Sequence, residues 1–140
     1  SFTDQYQVHQ MSNGSSFILV NLIDQLVDVV AKNYASIIKY CYRKKDQDVW
    51  DDLVLPCVSL KRGLNLNMII NADGVPLMKS KNLDIWPVWA AIAELPPKQR
   101  MAFKNIVLVG LWFGSSGKPK WDEIWSLVTH EFFVLKNNSV

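Results

Sequence analysis

The hydrophobic period changes along this chain, and the order of the changes limits the folds open to it. Ile23, Leu26, Val27, Val30, Tyr34, Ile37, Ile38 and Cys41 recur at steps of three and four, which draws one apolar stripe along a helix. From Leu64 the period drops to two: Leu64, Leu66, Met68 and Ile70 alternate with Asn65, Asn67, Ile69 and Asn71, the pattern of a half-buried strand. Ile85 to Leu95 is a second extended run, and Ile106 to Phe113 is almost wholly apolar, as a strand covered on both faces would be. Trp121, Ile124, Trp125, Val128, Phe132 and Leu135 return to helical spacing. The order is helix, three mostly antiparallel strands, helix, and the fold class is α/β (α+β).

Punctuation residues set the boundaries. Residues 1–16 are polar and end in a Ser/Asn/Gly cluster, so they read as a flexible linker, with a short strand over Phe17 to Val20. Asn21 is placed to cap the first helix, Asp24 lies in its first turn, and Arg43, Lys44 and Lys45 close it with the charge that a helix C-terminus favours. Residues 17–63 thus form a helical lead-in and 64–140 a second part. In that part Asp73-Gly74 supplies a turn, Pro87 removes a ladder donor and implies an edge or bulge, and Pro96-Pro97 ends the second strand. Pro119 stands where the last helix begins, with Asp122 and Glu123 in its first turn.

Composition excludes several classes. With 49% apolar residues the chain can bury a core, and its apolar runs fall far short of the ~20 residues that a membrane-spanning helix requires. The polar N-terminus shows no signal-peptide pattern. A net charge of +2 is too small to argue for nucleic acid by itself, since phosphate binding wants a concentrated patch. Cys41 and Cys57 form neither a disulfide framework nor a metal site with His9 and His130, so a reducing compartment is expected. The chain opens on Ser1 and stops at Val140, which reads as a piece of something longer.

No GxSxG, Walker loop, HExxH or glycine-rich dinucleotide turn occurs. What remains is Asp73, a carboxylate ending a strand with a polar face. It reads either as a divalent-metal ligand or as an ordinary turn aspartate that bonds nearby backbone. Trp86, Trp89, Trp112, Trp121 and Trp125 fall on apolar faces, so core packing is preferred for them over base stacking. Lys79, Lys81, Lys98, Arg100 and Lys104 lie in connections, where they suit either DNA phosphates or a solvated loop.

The run LNLNMIINADGVPLMKSKNLDIWPVWAAIAELPPKQR, then NIVLVGLWFG, then Gly117-Lys118-Pro119, resembles a stretch of CACTA (En/Spm-like) transposases, particularly their animal-type relatives. In that pattern a hydrophobic strand enters Asp-Gly-Val-Pro, followed by Lys-Ser, Ile-Trp-Pro, Glu-Leu-Pro-Pro with a basic residue, and Leu-Trp-Phe-Gly; all occur here in order. Upstream, Phe17 to Ile38 is similar to the family's strand-plus-helix lead-in, and Asp48-Val49-Trp50-Asp51-Asp52 to a family Asp-Ile-x-Asp-Gly word, with Asp52 in place of the glycine.

The resemblance implies the N-terminal part of an RNase H-like catalytic core, three antiparallel strands before a helix, with the first catalytic carboxylate on the first strand. On that match Asp73 is the candidate catalytic and metal-binding residue, and Lys79, Lys81, Lys98, Arg100 and Lys104 are candidate DNA contacts. The full-length family implies Mg²⁺ or Mn²⁺, transposon-end DNA as partner and a nuclear location. The family's second and third acids belong to later strands, so this chain is expected to bind no metal tightly and to cleave no DNA alone. Within it, Asp122 and Glu123 suit the helix dipole and Glu131 flanks the apolar stripe. A decayed or domesticated remnant that binds DNA or protein is the alternative. An unpaired edge on the Asp73 strand would favour self-association, and no membrane partner is expected.

Overall fold

The polar N-terminal residues, expected to form a linker, instead build a strand. In the computed structural model β1 (Tyr6–Gln10) pairs antiparallel with β2 (Ser16–Val20), His9 opposite Phe17. The structure describes residues 4–47, 58–59, 63–64, 66–78, 83–114 and 118–137. Strand β1 escaped the pattern because both its faces carry polar residues: Tyr6, Val8 and Gln10 are exposed, while Gln7 and His9 are half-buried. Its turn is closed by Met11 N–H donating to Ser15 O (2.8 Å) and Ser15 N–H to Asn13 Oδ1 (3.1 Å).

The further elements are α1 (Ile23–Gln47), β3 (Val58–Ser59), β4 (Gly63–Leu64), β5 (Met68–Ala72), β6 (Val75–Met78), β7 (Leu83–Ile92), the short α2 (Pro97–Arg100), a 3₁₀ turn (Phe103–Asn105), β8 (Val107–Gly114) and α3 (Trp121–Asn137). Mixed α and β structure is therefore present, with more strands than the three expected. Hydrogen-bonded neighbours run β1-β2-β8-β7-β5, with β6 also on β7, and among the described residues β3 and β4 form a separate pair.

The chain divides into two compact units. Unit 1 comprises Ser1–Asp24, Asn71–Trp89 and Leu108–Val140. Here β2 pairs antiparallel with β8, Phe17 opposite Trp112, and α3 packs on β2. Phe17, Leu19, Val109, Trp112, Ile124 and Val128 form the core. The Trp112 indole N–H donates to Ser15 Oγ at 2.8 Å, so the largest core side chain leaves no buried donor unpaired. Gly110 lets β2 approach: a Cβ there would stand 2.6 Å from Ile18 O and would collide with the Phe17 ring. No residue of β8 is exposed, in keeping with its continuous apolar run.

Unit 2 comprises Gln25–Ile70 and Ala90–Val107. Val29 and Ile37 of α1 are buried with Ala91, Ile92, Leu95 and Val107. The helix itself was legible in the periodicity, but Val27 and Tyr34, assigned to its apolar stripe, are exposed. Asn33 occupies the inward side between Val29 and Ile37, donating to Val29 O (2.8 Å) and to Asn105 Oδ1 (2.9 Å). A polar residue that bonds a buried partner belongs to the covered face, and hydrophobicity alone misses it. At the start of α1, Asn21 Oδ1 accepts the Ile23 N–H at 3.1 Å, the capping role expected of it.

Cys41 is disulfide-bonded, which corrects the reading of the cysteines as unbridged. Disulfides depend on spatial approach, which sequence spacing does not reveal. Cys57, like the Asp48 to Asp52 word, lies outside the described residues. No helix among the described residues is long and apolar enough to cross a membrane.

Candidate metal and nucleic-acid sites

Asp73 interrupts a strand instead of turning a hairpin. Strands β5 and β6 flank Asp73-Gly74, and both pair with β7. Val75 lies opposite Ile85, so continuing that register sets Gly74 level with Trp86 and Asp73 level with Pro87. Proline has no N–H to donate, which accounts for the ladder breaking there. Gly74 is needed for a different reason from the positive φ of many Asp-Gly turns: a Cβ would stand 2.6 Å from Trp86 Cζ2.

The Trp86 ring covering Gly74 continues into an aromatic stack. Trp86 meets Trp121 edge-on (centroids 5.5 Å apart, planes at 76°), and Trp121 stacks on Trp125 (5.6 Å, 21°). These rings anchor the first turns of α3 in unit 1. Core packing therefore holds fully for Trp112, while Trp86, Trp89 and Trp121 are half-buried and Trp125 is exposed at 36%. That exposure corrects its assignment to the buried stripe, where Ile124, Val128 and Glu131 sit.

The Asp73 carboxylate is exposed, and its Oδ1 accepts the Gly74 N–H at 2.9 Å. Among the described residues no group of three or more His, Cys, Asp or Glu could hold a metal ion. One carboxylate is too few for a two-ion site, so the described residues do not by themselves fit the Mg²⁺ pair that the resemblance implies. Asp122 is exposed; Glu123 accepts the Ser12 N–H at 3.2 Å, and hydrogen bonding from Ser12, first its side chain and then its backbone, holds the Glu123 carboxyl below the usual range. Glu131 is buried, with Oε1 unpaired in hydrogen bonding.

The candidate DNA contacts divide. Lys79 and Lys81 lie outside the described residues. Lys98 and Lys104 are exposed, on α2 and the 3₁₀ turn of unit 2. Arg100 bonds backbone carbonyls close to it in sequence: Nε donates to Leu95 O (3.2 Å) and Nη2 to Ala93 O (2.8 Å). It ties down the turn after β7, a role that a basic residue in a connection did not announce.

Sequence reasoning gave no role to Glu94, which is fully buried. Its carboxylate accepts the Asn67 backbone N–H through Oε1 and the Asn67 side-chain amide through Oε2 (3.2 Å). Ala93 N–H donates back to Asn67 O at 2.8 Å, closing the clamp. Burial pushes the Glu94 carboxyl above its usual range, against the opposing pull of the Asn67 bonds and the Arg100 charge. The only sequence signal was an acid set between an apolar strand and two prolines. No family model, curated protein or solved structure matches this chain.

Proposed function

We propose that the chain is a piece of a CACTA-type DNA transposase, the N-terminal part of an RNase H-like core, which in the longer protein serves metal-dependent phosphodiester cleavage and strand transfer in the nucleus. The observation that carries the reading is the order β8-β7-β5 followed in sequence by α3, with Asp73 exposed at the end of β5. An RNase H-like core begins with three consecutive strands lying side by side, its first acid on the first of them and a helix after the third. Strand β5 ends the described strand path, which suits a later strand adding there.

In this reading Asp73 would be one oxygen ligand of the Mg²⁺ or Mn²⁺ that the family resemblance implies, with further acids of a longer protein needed to complete the site. The metal would supply nucleophile activation and charge neutralisation at phosphate. The chain's own part is to hold that carboxylate in water-accessible reach while Trp86, Trp121 and Trp125 brace the backbone beside it. A second reading, a non-catalytic remnant that binds DNA or protein, is favoured by one feature: Asp73 Oδ1 already bonds Gly74 N–H, as turn aspartates do.

The reading frame beyond the Val140 codon, and a nicking assay of the longer product, decide between them. Further acids on later strands, with Mg²⁺-dependent nicking lost in Asp73→Asn, carry the transposase reading. A frame without those acids, or nicking indifferent to Asp73→Asn, overturns it in favour of the remnant.

A further inference from the structure

The turn after β7 presents apolar side chains to water on a rigid mount. Phe103 is 86% exposed and Met101 57%, while the residues between and around them are pinned. Asn105, almost fully buried, donates through Nδ2 to Gln99 O (2.9 Å) and accepts Asn33 Nδ2 (2.9 Å). Ala102 N–H donates to Gln99 O (3.1 Å), Asn105 N–H to Ala102 O (2.8 Å), and Ile106 N–H to Phe103 O (3.3 Å). Arg100 fixes the near side through the Ala93 and Leu95 carbonyls. Several hydrogen bonds, four of them part-buried, thus hold a turn that keeps a phenylalanine out of the core.

Along the sequence of the turn the charge has one sign. Lys98 and Lys104 are exposed on either side of Phe103 in sequence, and no acidic residue occurs from Leu95 to Trp121. An exposed aromatic flanked by two free-standing cations on a preorganised turn complements a polyanion with apolar interior edges. A protein partner would use the same apolar surface without needing this charge.

We propose that residues 97–105 form a DNA-docking turn in which Lys98 and Lys104 take backbone phosphates of duplex DNA and Phe103 enters as a wedge between base pairs. The proposal rests on the DNA reading above and adds to it the element and the mode of contact. A wedge must unstack a base step, so it favours flexible TA steps over stiff A-tracts. Lysine contacts to phosphate carry no such preference and instead set the salt dependence.

The test is fluorescence anisotropy of the 140-residue chain with short labelled duplexes, one rich in TA steps and one an A-tract, across a salt series. The intact chain is expected to prefer the TA-rich duplex. Phe103→Ala should lose that preference and bind the TA-rich duplex about tenfold more weakly, with its salt slope unchanged. The double variant Lys98→Gln, Lys104→Gln should keep the preference and lower the salt slope by about 2. If the intact chain binds both duplexes and Phe103→Ala binds them equally well, the docking turn is wrong and the DNA reading stands. If the intact chain binds neither at low salt, the docking turn is overturned, while the transposase reading is still decided by the frame and the nicking assay. If Phe103→Ala changes sedimentation of the chain and not DNA affinity, the turn is a contact between copies and the proposal is overturned.

Discussion

Asp73 and Glu94 are both carboxylates at the end of a strand, and their surroundings assign them opposite work. Glu94, in unit 2, is shut away from water and holds the backbone and side chain of Asn67. Asp73, in unit 1, stands in water and bonds only the next residue's N–H. The Glu94 carboxylate is cut off from water and is held by its bonds to Asn67, so its oxygens are committed to structural partners. An exposed one retains lone pairs for a ligand. Burial, more than residue type, separates an acid that maintains a fold from one that is available for chemistry.

The largest effect is expected at the clamp. Glu94→Ala leaves the Asn67 backbone N–H and side-chain amide without their acceptor and should cost about 3 kcal/mol in urea unfolding. A loss comparable to that of an exposed surface substitution would break the contrast. Glu94→Gln sharpens it through pH. Because burial raises the Glu94 carboxyl, the native state holds a proton that the unfolded state has released, and stability falls as pH rises from the ordinary carboxyl range through the higher folded value. Unfolding midpoints recorded from acid to neutral pH should show that decline in the intact chain and a shallower one in Glu94→Gln.

Gly74→Ala tests the brace beside Asp73. The new methyl meets the Trp86 ring and should cost roughly 1–2 kcal/mol by overpacking. Near-ultraviolet circular dichroism should change with it, as the Trp86–Trp121 contact is disturbed. The smallest effect is expected at Asp73 itself. Asp73→Asn keeps an oxygen for the Gly74 N–H and should change stability by less than about 0.5 kcal/mol. A loss above about 2 kcal/mol would make Asp73 a structural residue like Glu94 and erase the comparison.

Both long helices and the strands β5, β7 and β8 were legible, because periods of 3.6 and 2 record which face is covered. Strand β1 was not, since an edge strand with polar residues on both faces leaves no alternation to read. Asp73-Gly74 was visible as a break but misread as a hairpin turn; the deciding fact is that β5 and β6 share one partner, β7. Lys98 and Lys104 were found as exposed bases, whereas Arg100 became an anchor once Ala93 and Leu95 offered it carbonyls.

By itself the sequence determined the class of the fold, the acid that breaks a strand, and the basic stretch that follows, since covalent order and hydrophobic period are local properties. Only the tertiary structure decided that Glu94 is a clamp, that Trp125 reaches water while Trp112 does not, and that Phe103 is held outside the core. Those are questions of which distant residues remove a side chain from water, and no local pattern encodes that.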